Sequence, residues 1–353
     1  MFITGIGTAV PPRRYTQNDC WQAAARTPQF ARLAPRTQAL AKRVLLNEGS
    51  GIGTRHLCLD SLDDVFAEDP DILQARFARH APELATAAAR RALAEAAVAP
   101  GDIDAVLVST CTGYLCPGLT GYVSERLGLR GDVFGLDLVG QGCAAALPNM
   151  RTAESLIASQ RASAVLSICV EVCSAAFYLD DDAGVLVSAC LFGDAAGAAV
   201  LAARPRPGAR RMEWKAAWSQ TDPAQRDALR FEQRRGMLRN VLTPAVPALA
   251  GERAATLLAE ALAEVRLARD DIRTWIWHAG GRTVLEKLCE ATGLRAADVE
   301  RSAHVLGEYG NVSSPFVYLV LERALRQRAP AGWWWMSSFG AGFSCHGALL
   351  SVS

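Results

Sequence analysis

The feature that most constrains this chain is a repeat. Residues Ala92–Ile103 recur as Ala261–Ile272, 169 residues further on, with seven of the twelve positions identical. In a chain of 353 residues that offset is close to half the length. Each copy reads as an amphipathic helix and an Asp-containing turn, and each runs into a short apolar strand. These strands are Asp104–Thr110 in one half and Thr274–Ala279 in the other. Helix, turn and fully apolar strand are the units of a sheet covered on its faces. A second echo, Phe192–Leu201 against Phe339–Leu350, predicts a Gly-rich hairpin strand near the end of each half. The turn-rich, basic stretch Arg204–Arg211 separates the copies. The expected organisation is therefore an internally duplicated α/β protein with halves at 1–205 and 206–353.

Composition narrows the function. Half the residues are hydrophobic and 21% are charged, enough for a full core and too few charges for a disordered chain. Thirty-seven basic residues against 36 acidic ones leave a net charge of +1, which argues against a nucleic-acid groove or a polybasic membrane face. Apolar runs break well before the ~18 residues of a membrane span, so no stable membrane insertion is expected. The N-terminus lacks the pattern of a signal peptide, and ten Cys without one point to a reducing, cytoplasmic setting. No CxxC pair occurs among them, and no metal site is expected.

One cysteine stands apart. Val133–Val139 reads as a strand, followed by Gly140-Gln141-Gly142-Cys143 and a helix-forming stretch through Leu156. This places Cys143 at a helix entry, where free N–H groups and the macrodipole favour a thiolate, provided Pro148 falls in the first turn. A nucleophilic Cys wants a partner base and an oxyanion donor. Among five His, His56, His80 and His304 lie in polar surroundings and read as surface residues, and His346 as a core or hairpin residue. His278 ends an apolar strand and precedes Ala279-Gly280-Gly281 and a new helix, the position where open α/β sheets place their sites. Asn311, one of five Asn in the chain, lies in Tyr309–Pro315 ahead of an apolar helix; capping that helix is its bland alternative. It is one residue from the position that the duplication matches to Cys143. A pseudo-twofold would bring Cys143, His278 and Asn311 together.

With these segments the chain resembles the chalcone and stilbene synthase-like type III polyketide synthases of the thiolase superfamily. Gly142-Cys143 is similar to that family's nucleophile loop. Trp277–Gly281 is similar to its W-x-H-P-G-G segment with Ala279 in place of Pro, and Gly307–Ser314 to its Asn loop. Leu191–Asp194 is similar to the segment holding its gatekeeper, a role Phe192 would inherit. The resemblance implies a thiolase-like fold of five αβαβα layers. It also implies an acyltransferase that loads an acyl-CoA starter on Cys143 and extends it iteratively with malonyl-CoA. His278 and Asn311 would hold the enolate, and His278 would form an ion pair with the thiolate. No metal or redox cofactor is implied; CoA thioesters are the substrates.

Residue by residue, the resemblance gives Thr112 and Cys116 to the cyclisation segment, with Cys116 reaching across a homodimer interface. It gives Cys173 and Ala176 to cavity positions that are Thr in chalcone synthase, and Ser313 to the cavity serine. Arg239 falls where a second gatekeeper Phe is expected, Lys42 with Arg43 at the CoA contacts, and Gly340 in the C-terminal loop. Small side chains at Cys173 and Ala176 favour a roomy pocket and a resorcinol- or pyrone-type product. The nearest alternative is a ketoacyl-ACP synthase III, whose C-terminal strand Phe339–Phe343 resembles; against it, His278 lacks that enzyme's following Gln-Ala-Asn. Trp333–Trp335 reads as an apolar strand with its rings packed in the core or at the dimer interface.

Overall fold

The structure, a computed structural model, describes residues 1–46 and 48–353. Five strands of the first half are β1 (Phe2–Ala9), β4 (Ala105–Ser109), β5 (Phe134–Leu138), β6 (Ala164–Glu171) and β7 (Ala195–Ala202). A small ribbon, β2 (Arg14–Thr16) and β3 (Thr54–His56), lies between β1 and β4 in sequence. The second half supplies β8 (Met212–Thr221), β11 (Ile272–Trp277), β12 (Gly332–Gly340) and β13 (Ser344–Val352), with a hairpin of β9 (Leu229–Arg234) and β10 (Met237–Leu242). Residues 203–211 connect β7 to β8.

The duplication is written in the sheet order. The first half runs β1-β7-β6-β4-β5 and the second β8-β13-β12-β11. In both, the two inner pairs are antiparallel and the next is parallel: β1/β7, β7/β6 and β6/β4 against β8/β13, β13/β12 and β12/β11. One strand of the first half, β5, has no counterpart and forms an open edge. The two sets meet through a single residue pair, Phe2 with Glu213.

Helices make three further layers. They are α1 (Gln17–Ala25), α2 (Pro28–Ala31), α3 (Pro35–Leu46), α4 (Pro70–Ala96), α5 (Leu119–Leu127), α6 (Ala146–Ala158) and α7 (Ala183–Leu191) in the first half. The second half adds α8 (Val246–Glu264), α9 (Arg282–Thr292), α10 (Glu300–Tyr309) and α11 (Phe316–Arg326). Helix α4 covers the outer face of the first sheet and α8 that of the second, while α6 and α11 each pack on both sheets. The order is therefore α, β, α, β, α, the expected five layers.

Small residues set how closely these layers approach. The first sheet receives an alanine stripe of α4, including Ala85, Ala88, Ala92 and Ala96, all buried. A Cβ on Gly5 or Gly7 of β1 would run into the α4 backbone. In the central layer a buried polar chain fixes register: Asn149 of α6 donates to Ser109 Oγ at 2.8 Å and accepts from Ser167 Oγ at 2.7 Å. The Ser167 hydroxyl in turn meets Tyr318 Oη of α11 at 2.8 Å. Its partners satisfy each buried polar group, so the chain specifies one alignment.

The second sequence echo needs correction. Phe339–Leu350 does span a hairpin, β12 into β13, but Phe192–Leu201 leads from the end of α7 into a single strand, β7. The Trp segment behaves as expected, with Trp334 and Trp335 wholly buried in β12.

Candidate active site

Strand β5 ends at Leu138, and the chain turns through Gly140 and Gly142, both with left-handed φ (85° and 55°). Cys143 follows in a 3-10 turn, Gly142–Ala144, that leads into α6. Pro148 occupies the first turn of α6, where its missing N–H leaves no bond unmade. The turn is held from the other half. Ser338 Oγ donates to Ala144 O at 3.1 Å, and Gly340 lies so close that a Cβ there would be 2.6 Å from Ala144 N. Gly340 thus serves the site by having no side chain.

His278 continues β11, its N–H donating to Ser337 O at 2.9 Å. The imidazole stands edge-on between Phe316 and Phe339, with ring centroids at 5.2 and 5.1 Å. Its Nδ1 is buried without a hydrogen-bond partner among the described residues. A proton on Nδ1 would have no acceptor, which favours the tautomer carrying it on Nε2. Burial in this apolar clamp pulls the His278 pKa down to about 3, so the ring is neutral.

Asn311 is not a cap; α11 begins only at Phe316, after Pro315. Its backbone forms a parallel bridge with Phe192, with Asn311 N–H donating to Leu191 O at 2.9 Å and Gly193 N–H to Asn311 O at 3.0 Å. Its carboxamide donates to Gly280 O at 3.2 Å and accepts from Ser313 N–H at 2.9 Å. One carboxamide N–H remains for a ligand.

Cys143, His278, Asn311 and Phe192 line one cavity of about 520 Å³, with Phe339 beside them. Its remaining wall is largely apolar, including Val187, Leu229, Leu242 and Val246. The exposed Arg43 and Arg282 stand at its open side. The expected trio therefore converges. The sulfur's hydrogen bond, however, comes from Ser313 Oγ at 3.2 Å; among the described residues none links it to His278. Burial pushes the Cys143 thiol up to about 12, the Ser313 hydroxyl offsetting part of this and the nearby Glu171 carboxylate adding to it. Burial thus favours the neutral form of both the thiol and the imidazole.

Several pocket expectations are corrected by the structure. Arg239 is not among the cavity-lining residues and forms ion pairs with Asp182 and Glu232. Glu232 sits directly opposite it across the β9–β10 hairpin, which accounts for that pairing. Cys173 is buried in the cluster around Phe177 and Phe192, and neither it nor Ala176 lines the cavity. Lys42 is exposed on α3, and its neighbour Arg43 takes the cavity position. Thr112 lines a separate space of about 180 Å³ with Cys111 and Tyr114. Its hydroxyl donates to Glu171 at 2.9 Å. Cys116 is exposed on the loop after β4, next to a cis bond to Pro117. Ser313 sits behind the sulfur rather than in the cavity wall.

Two buried ionisable groups were not singled out from the sequence. Glu171, at the end of β6, accepts from Ser314 Oγ at 2.5 Å, Thr112 Oγ1, and the N–H and thiol of Cys111. Burial raises its pKa and these donors lower it. A glutamate closing an otherwise apolar strand was the available signal. Arg55 has no carboxylate partner among the described residues. It donates to Ala189 O and Phe192 O at 2.7 and 2.9 Å, behind the Phe192–Asn311 bridge. Two residues after Gly53, nothing in the sequence distinguishes it from a surface arginine.

Comparison with known proteins agrees with this geometry. Residues 11–219 match the family described as FAE1/type III polyketide synthase-like protein, and residues 217–352 match the chalcone and stilbene synthase C-terminal domain. The 1,3,6,8-tetrahydroxynaphthalene synthase of Streptomyces peucetius subsp. caesius is 32% identical, over 99% of this chain and 92% of its own. The alpha-pyrone synthesis polyketide synthase-like Pks18 of Mycobacterium tuberculosis is 28% identical, over 99% and 91%. Among solved structures, PKS-I of the brown alga Ectocarpus siliculosus superposes with a TM-score of 0.91 at 26% identity, covering 99% of this chain and 97% of that one. Matched along nearly its whole length, and carrying a cysteine, a histidine and an asparagine around one cavity, the chain belongs to the type III polyketide synthase family.

Proposed function

We propose that the enzyme loads an acyl-CoA starter on Cys143 and extends it with malonyl-CoA by repeated decarboxylative condensation. The convergence of Cys143, His278 and Asn311 on one apolar cavity carries this reading. Cys143 gives up its thiol proton as its sulfur attacks the starter thioester, the proton leaves with CoA as the free thiol, and an acyl-enzyme forms. Malonyl-CoA then loses CO₂, and negative charge develops on its thioester oxygen. The His278 imidazole, neutral and carrying its proton on Nε2, and the free N–H of the Asn311 carboxamide donate to that oxygen. Its carbon attacks the acyl-Cys143 carbonyl and expels the sulfur, and the longer chain, now on CoA, returns to Cys143. This sequence calls for no metal or redox cofactor.

The apolar walls favour an aliphatic or aromatic acyl starter, and a pyrone- or resorcinol-type product is the favoured outcome. A relative named for alpha-pyrone synthesis supports that choice. Substrates of the CoA pool fit a cytoplasmic location. The open edge strand β5 carries exposed Phe134, followed by exposed Val139, with exposed Tyr114 in the loop before Cys116. These groups suit a homodimer contact, which light scattering would test.

Incubation with malonyl-CoA and a panel of acyl-CoAs, read by mass spectrometry, tests the activity. Several CO₂ released per starter, and none with Cys143→Ala, is the expected result. One release that requires malonyl-carrier protein would favour the ketoacyl synthase reading instead.

A further inference from the structure

Among the described residues, six non-glycine residues have left-handed φ: Ala97, Gln160, Arg235, Arg266, Arg328 and Ser313. The first five are exposed and sit where a helix ends or a hairpin turns, the usual places for this conformation. Ser313 is different: it is 1% exposed, has φ 58°, and lies in the active site. Such a backbone is unfavourable for an L-residue, and glycine would adopt it freely. The strain is held in place by the Asn311 carboxamide, which accepts the Ser313 N–H at 2.9 Å, and Asn311 is itself bridged to Phe192. What this arrangement achieves is to aim the Ser313 hydroxyl at Cys143 Sγ, 3.2 Å away.

We infer that Ser313 is a catalytic residue whose hydroxyl is the direct hydrogen-bond donor to the Cys143 thiolate. The inference rests on Cys143 being the nucleophile. Groups facing the sulfur give the donor its importance. Burial and the Glu171 carboxylate from β6 oppose a negative sulfur. The 3-10 turn at the entry of α6 and the Ser313 hydroxyl are the groups that favour it. The same oxygen lies 3.7 Å from Cys111 Sγ. Once Cys143 is acylated and its sulfur accepts poorly, the hydroxyl has a second partner and need not stay unpaired.

Ser313→Gly and Ser313→Ala separate the donor from the backbone, because glycine accepts φ 58° without strain and alanine does not. The rate of Cys143 alkylation by iodoacetamide is followed as a function of pH by peptide mass spectrometry, which distinguishes it from the exposed Cys116. Both variants are expected to alkylate Cys143 about tenfold more slowly at neutral pH, with the profile displaced to higher pH. Acyl loading should slow in parallel, while the glycine variant unfolds at the parent temperature or above. An unchanged profile in both variants overturns the inference, as does a change confined to alanine, which would mark a backbone effect. If Cys143 of the parent resists alkylation throughout, the nucleophile assignment itself fails, a result distinct from either.

Discussion

Phe192 and Asn311, from opposite halves of the chain, are joined backbone to backbone in a parallel bridge. The bridge therefore ties the position of the Asn311 carboxamide to the Phe192 backbone. Gly193 makes this possible, since a Cβ there would be driven into the Tyr309 carbonyl. Gly193→Ala should break the bridge and displace the Asn311 carboxamide. We expect kcat to fall about a hundredfold, with secondary structure retained by circular dichroism. Steady-state kinetics with malonyl-CoA provide the check, and unaltered kcat would disprove the coupling.

Gly340 offers a second test of the same kind on the nucleophile side. A Cβ would lie 2.6 Å from Ala144 N and 2.7 Å from Gln141 O, both backbone atoms of the turn holding Cys143. Gly340→Ala should cost about 1–3 kcal/mol of stability and slow acyl loading more than it weakens substrate binding. Intact-protein mass spectrometry of the acyl-enzyme reports the loading step directly.

The cavity sets how long a chain can grow. Val187 and Leu242 line it from α7 and β10, away from the Cys143 turn. Replacing either with Trp should leave loading intact and shorten the products by at least one malonyl-derived unit. Chromatography with mass detection of the product mixture would show this; an unaltered chain-length distribution would place the growing chain elsewhere.

Acid should destabilise the fold in a defined window. His278 and His346 are held neutral by burial, with pKa values of about 3 and about 4, Arg151 adding to the effect at His346. Unfolded, each titrates near 6.5. Above that value both states are neutral and the histidines contribute no pH dependence. As pH falls below it, the unfolded chain takes up protons that the folded chain refuses. Stability should then drop by about 1.4 kcal/mol per pH unit for each histidine, down to its folded pKa. His346→Gln should flatten the slope above pH 4 in urea titrations, and an identical slope would remove His346 from the account.

Strands β4 and β11 were legible in the sequence because both of their faces are covered, so their apolar runs do not alternate. Cys143 and His278 could be read as well, since each sits where a strand gives way to glycines and a helix. Arg239 and Cys173 could not. Which way a hairpin or loop residue points depends on its cross-strand neighbour and on what packs above it. Glu232 opposite Arg239 and the Phe177 cluster around Cys173 are tertiary facts.

The chain by itself determined the duplication, the order of helices and strands, and the three reactive side chains, because periodicity and glycine placement are local properties. Only the folded structure decided what touches the sulfur. The hydroxyl of Ser313, a residue 170 positions away, reaches Cys143 through a left-handed backbone pinned to Asn311. No local pattern encodes that contact, since it arises where the two halves share one central layer.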